Sequence, residues 1–146
     1  MSPEEQLQVA DTLALTLKDG SSEVRKEALS CLIALGLDGL SRIIDVIDDT
    51  SAPTETRKEA VEALGSAFSE GRVDKTGMIR EAIVALEKCL KNDNPLCEAA
   101  VTALGEIGTQ AISTKPRIMA LLNESKDINR ICVKSASALL KISPVH

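Results

Sequence analysis

The 146-residue chain has no tryptophan and no tyrosine, and Phe68 is its only aromatic residue. Binding single-stranded nucleic acid draws on aromatic side chains as stacking platforms, and this sequence has none to spare. Its one histidine is His146. A Ser-His-Asp or Cys-His arrangement needs an imidazole held firmly by the fold, and the last residue of a chain is poorly placed for that. The four cysteines, Cys31, Cys89, Cys97 and Cys132, form no C-x-x-C pair. That spacing excludes a zinc ribbon and a thioredoxin-type motif, and it is too sparse for a secreted disulfide scaffold. No apolar run approaches the roughly 20 residues that span a bilayer. Basic charge is also short, with 17 lysines and arginines against 22 acidic residues and a net charge of −5. The basic residues gather into no stripe, so the footprint of phosphate neutralisation is missing.

What the chain does contain is repetition. Its hydrophobic fraction of 44% and charged fraction of 27% are those of an ordinary folded domain, long enough for a sizeable core. Four segments align without gaps: VRKEALSCLIALG (24–36), TRKEAVEALGSAF (56–68), LCEAAVTALGEIG (96–108) and ICVKSASALLKIS (131–143). Arg25, Arg57, Cys97 and Cys132 share one column, which serves as the reference position. Three residues later stand Ala28, Ala60, Ala100 and Ser135, and six later Cys31, Ala63, Ala103 and Ala138. Seven later come Leu32, Leu64, Leu104 and Leu139, and ten later Leu35, Ala67, Ile107 and Ile142. Spacings of three and four put these columns on one buried helical face. Small residues in two of them let neighbouring helix axes approach to about 8–10 Å. The columns one, two, five and nine after the reference are mostly polar, as a solvated face should be.

Each unit also has a preceding helix, predicted at Glu4–Lys18, Leu40–Ile47, Met78–Lys91 and Thr114–Leu122. Turn signals separate the two helices of each unit: DGSS (19–22), DTSAPT (49–54), NDNP (92–95) and NESKD (123–127). Pro116 suits a first helical turn, where its missing N–H costs nothing. The expected fold is all-α, one domain of four helical hairpins (units 4–36, 39–68, 77–108 and 111–143), with 69–77 as an insertion loop. Such units cannot bury their apolar faces alone and must stack.

The repeated segments, with their ALGxIG-type core, resemble HEAT repeats over nearly the whole chain. Within that family they look most like the short phycobilisome-lyase (PBS lyase) HEAT-like repeats. The resemblance implies an armadillo-like α-solenoid, a right-handed α-α superhelix whose second helices line a concave, partner-binding surface. It implies a non-enzymatic adaptor or scaffold that binds another protein. Carried over to this chain, the candidate contact residues are Lys26, Glu27 and Ser30 in unit one and Lys58, Glu59, Glu62 and Ser66 in unit two. Unit three adds Glu98, Thr102 and Glu106, and unit four adds Lys134 and Lys141. Two lysines against five glutamates make the first three units mildly acidic, which suits a basic or polar partner. The di-iron hydroxylases of this architecture use repeated His-Glu pairs, and none occurs in this sequence.

Two alternatives follow from the same resemblance and from the cysteines. One is a bilin lyase subunit or chaperone of phycobilisome type. The other is an iron–sulfur or metal carrier using Cys89, Cys97 and Cys132; the plainer reading is that buried cysteines pack as small apolar residues. In the family the reference arginine commonly pairs with an aspartate of a neighbouring turn. Arg25 and Arg57 keep that type, with Asp19, Asp49 or Asp93 as partners. Cys97 and Cys132 cannot pair in this way, so such a ladder covers only the first half. Terminal units of solenoids normally carry a polar outer face, yet the last helix region shows Ile128, Ile131, Val133 and Ala136. We expect weak self-association or docking at that end. We expect no cofactor, no nucleic-acid partner and no membrane partner. Glu4 and Glu5 stand where a secretory leader would be basic, so a cytoplasmic location is expected.

Overall fold

The computed structural model describes residues 1–71, 78–91, 94–124 and 130–145. Its helices are α1 (Pro3–Asp19), α2 (Ser22–Ala34), α3 (Leu37–Asp48), α4 (Thr54–Ser69), α5 (Ile79–Glu87), α6 (Cys97–Ile107), α7 (Lys115–Glu124) and α8 (Arg130–Ile142). A 3-10 segment, Gly108–Thr114, leads into α7. No strand occurs among the described residues, and no helix among them is long and apolar enough to cross a membrane.

Local chemistry sets the helix ends. Ser2 and Glu5 form a reciprocal capping box, with Glu5 N–H donating to Ser2 Oγ at 3.2 Å and Ser2 N–H donating to Glu5 Oε1 at 3.0 Å. Ser21 caps α2 by accepting from Val24 N–H. At the other end, Gly36 and Gly108 occupy the same column, eleven after the reference, with φ of 76° and 81°. A left-handed glycine stops a helix and turns the chain at once into the next element. The second unit has Phe68 in that column, so α4 continues to Ser69 and the positive-φ glycine comes later, at Gly71. The long connection expected at 69–77 starts there, and residues 72–77 lie outside the described residues.

The second helices pack in a row, α2 on α4, α4 on α6 and α6 on α8. The first helices follow alongside, α1 on α3 and α3 on α5. The hairpin partners also touch, α1 with α2, α3 with α4, α5 with α6 and α7 with α8. Between the two layers lies a core rich in leucine, isoleucine and alanine, including Leu17, Leu32, Leu40, Ile43, Leu64, Leu86 and Leu104, with Phe68 its one aromatic member. Small residues bring adjacent second helices close. A Cβ added to Gly65 would stand 3.0 Å from Cα and Cβ of Ala103, and one on Gly105 would stand 3.2 Å from those of Ala138.

Four positions depart from the buried columns: Cys31 is exposed, and Leu35, Ala63 and Leu139 are only half-buried. The six-after column faces the preceding second helix, and no described helix covers it at α2, where Cys31 stands.

Candidate functional site

The polar columns of α2, α4, α6 and α8 line a chain of depressions. The central one, about 420 Å³, lies between α4 and α6 and reaches Lys134 of α8. From α4 it takes Lys58, Glu62 and Ser66, and from α6 Glu98, Thr102 and Glu106. A smaller one of about 180 Å³ joins α2 to α4 through Lys26, Glu62 and Ser66. A third, about 150 Å³, joins α6 to α8 through Thr102, Glu106, Lys134 and Lys141. Glu62 and Ser66 line both the central and the α2–α4 depression, and Thr102, Glu106 and Lys134 line both the central and the α6–α8 one. The three therefore form one furrow across the row. Glu27 and Ser30 are exposed on α2 beside it.

Glu59 also lines the α2–α4 depression, but it is only 4% exposed and its carboxylate is already engaged. Arg25 holds it with Nε donating to Oε2 at 2.7 Å and Nη2 donating to Oε1 at 3.0 Å. Ser22 Oγ donates to Oε1 at 2.8 Å. The Arg25 hydrogen bonds hold the Glu59 carboxyl below the usual glutamate range, with Ser22 assisting, against the opposing effect of burial. With that charge neutralised, the remaining predicted residues carry four lysines (26, 58, 134, 141) against four glutamates (27, 62, 98, 106). The acidity is concentrated in the central depression, where Glu62, Glu70, Glu98 and Glu106 face Lys58 and Lys134. Lys141 approaches Glu106 at 3.4 Å across the α6–α8 junction.

The arginine ladder also takes another form. Arg25 binds Glu59 of the next unit and donates from Nη1 to the Gly20 carbonyl at 2.6 Å. Arg57 donates from Nε and Nη2 to the Ile47 carbonyl, at 3.0 and 2.7 Å. Asp49 accepts instead from Ser51 N–H and Oγ. Asp93 lies outside the described residues, as does the side chain of Asp19. In the third unit, where Cys97 replaces the arginine, Arg117 of α7 supplies the donor. Its Nε reaches the Leu90 carbonyl at 2.7 Å. Orphan carbonyls near the C-terminal ends of α1 and α3 and just beyond α5 are thus each met by a guanidinium.

No protein-family model matches the chain, and a search of curated proteins gives no match.

Cys89 and Cys97 are buried free thiols, and burial pushes both above the ordinary thiol range. Cys89 Sγ donates to the Ala85 carbonyl one turn back. No group of three or more His, Cys, Asp or Glu placed to hold a metal occurs among the described residues. The Cys132 side chain lies outside them. So do Ile128 and the side chain of Ile131, while Val133 is exposed. A further depression of about 490 Å³ lies between α1 and α3, lined by Asp11, Leu15, Lys18, Arg42, Asp45 and Asp49 among others. Sequence reasoning missed it, although opposite charges on the polar faces of α1 and α3 were a usable signal. Arg42 spans it, pairing with Asp11 at 2.7 Å and Asp45 at 3.7 Å, so its charges already answer one another.

Proposed function

We propose that this chain is a non-enzymatic interaction module of HEAT-like type, an adaptor or scaffold that binds a segment of another protein along the furrow. In this reading the row of second helices is the inner layer of a short right-handed α-α superhelix. The observation that carries it is the sharing of Glu62, Ser66, Thr102, Glu106 and Lys134 between adjoining depressions, which makes one path across four helices. A path crossing helices about 8–10 Å apart suits a polypeptide better than a compact small molecule. The lining of its central part is polar and holds no aromatic side chain, which favours a protein segment over a tetrapyrrole. Carboxylates outnumber amines there by four to two, so the partner segment is basic or polar. Charge of this kind speeds encounter more than it tightens the complex. The furrow offers none of the Trp, Tyr or Arg anchors that dominate hot spots, so affinity is modest.

Capture of partners from the native source tests this, comparing the wild type with Glu62→Lys. Glu81→Lys, an equal charge change on an exposed residue of α5, is the control. Glu62→Lys weakens binding about tenfold or more, roughly 1.4 kcal/mol, while Glu81→Lys leaves it unchanged. Retention of every partner by Glu62→Lys refutes the acidic-furrow reading.

A further inference from the structure

Exposed large apolar side chains are unevenly distributed along this chain. Among the described residues there are twelve, of which six fall in residues 1–37, five in residues 112–145, and one, Val84, between. In the second-helix row, register explains the ends. The columns four and eight after the reference face the following helix. They hold Leu29 and Ile33 in α2, Val61 and Gly65 in α4, and Val101 and Gly105 in α6, all buried. In α8 the same columns hold Ala136 and Leu140, and with Val133 they form an exposed stripe at i, i+3 and i+7. Leu140 is 60% exposed and Val133 59%.

The columns one before and six after the reference face the preceding helix. They hold Thr56 and Ala63 in α4 and Leu96 and Ala103 in the third unit, buried or half-buried. In the first unit they hold Val24 and Cys31, both exposed. Each end therefore presents the residue types of an internal junction, one the following-side set and the other the preceding-side set.

We propose that the two ends are complementary, and that copies of this chain associate head to tail. The Val133–Ala136–Leu140 stripe of one copy packs on Val24 and Cys31 of the next, in the register of the internal junctions. Leu140 over Cys31 repeats Ile33 and Ala63, a large residue against a small one in the same two columns. The two surfaces differ, so the contact is heterologous and propagates into open chains instead of stopping at a dimer. Glu27 occupies the column of Glu59, but Cys132 replaces the arginine that would meet it. The junction between copies is therefore weaker than the one between α2 and α4.

Sedimentation over a concentration series tests the proposal. The weight-average mass of the wild type rises past that of a dimer, and Leu140→Glu and Val24→Glu each abolish the rise while leaving the helical circular dichroism unchanged. The mode of contact is read from Leu140→Cys under oxidised glutathione. At the glycine junctions a Cβ built on Gly65 or Gly105 would stand 3.0 or 3.2 Å from the facing Cβ, so the wider spacing that a real side chain imposes in these columns falls in the approximately 3.5–4.5 Å a disulfide needs. The expected product is a ladder of linked chains in which Cys31 is bonded to the introduced thiol, and Cys31→Ser in the same background removes it. A strict monomer at every concentration, a plateau at dimer, or a bond joining two introduced thiols overturns the proposal. Glu62→Lys leaves the ladder intact, which separates this proposal from the furrow reading.

Discussion

Replacing Glu59 by glutamine keeps its shape and removes its charge, and the surroundings set the cost. The carboxylate side chain is 3% exposed, and its oxygens accept from two nitrogens of Arg25 and from Ser22. The substitution leaves a guanidinium only 16% exposed without its counter-charge and brings an amide group toward its N–H donors. Removing one partner of such a pair costs about 3 kcal/mol, the low end of the buried range, since Arg25 keeps the Gly20 carbonyl. For a chain of 146 residues, that lowers Tm by roughly 6–12 °C. Because the chain lacks Trp and Tyr, urea and thermal melts are followed by far-UV circular dichroism. The pH dependence has a definite sign. Glu59 titrates below its unfolded value, so its contribution is complete above the unfolded glutamate pKa of about 4.3 and is lost as pH falls through the folded value. The gap between wild type and Glu59→Gln therefore stays constant down to that region and closes below it. The double variant Arg25→Met/Glu59→Leu recovers part of the loss, because an apolar pair of similar volume replaces a buried ion pair at little cost while the Gly20 carbonyl and Ser22 lose a partner. A Glu59→Gln loss below about 1 kcal/mol at neutral pH, typical of a surface pair, would refute the assignment of Glu59 as a buried staple between the first two units.

Three further outcomes follow from the packing. Gly65→Ala, which in an exposed helix would stabilise by about 1 kcal/mol, instead destabilises by about 1–3 kcal/mol because the new methyl meets the Ala103 backbone; Gly105→Ala, with slightly more room, loses less in the same melts. Ser135 is fully buried and its Oγ has no hydrogen-bond partner among the described residues, while the other three units have alanine in its column, so Ser135→Ala raises stability by about 1 kcal/mol in urea titration. Alkylation of the native protein, mapped by mass spectrometry, labels exposed Cys31 quickly and reaches Cys89 and Cys97 only on unfolding, since burial both shields those thiols and holds them protonated.

The helices and their buried faces were legible because each follows from spacing within one segment. Arg25 to Ile142 could be placed in columns with no knowledge of what lay opposite, and the turn signals at 19–22 and 49–54 marked the breaks between the helices of the first two units. The pairings across junctions were not legible, because they depend on how one helix is rotated against its neighbour. Glu59 sits in a polar column and was expected on the solvated face, yet the close approach of α2 turns it inward to meet Arg25. The furrow was legible residue by residue, but its continuity was not, since the sharing of Glu62 and Glu106 between neighbouring depressions appears only once the helices are stacked.

Cys97 shows the same division between what a column fixes and what a junction fixes. In NPLCEAAVTALGEIG the cysteine interrupts a column of arginines, and the column alone suggests that a tie between units has been lost. What the fold must satisfy is a carbonyl that has run out of intrahelical donors. In the second unit Arg57 reaches the Ile47 carbonyl from α4. In the third, Arg117 reaches the Leu90 carbonyl from α7, one unit further along the chain. Once the guanidinium arrives from that side, an arginine at 97 would bring a second positive charge into a fully buried position beside the first. A small apolar side chain is what that position can hold. The substitution at Cys97 and the arginine at 117 are then one arrangement, and the thiol needs no chemistry of its own to account for it.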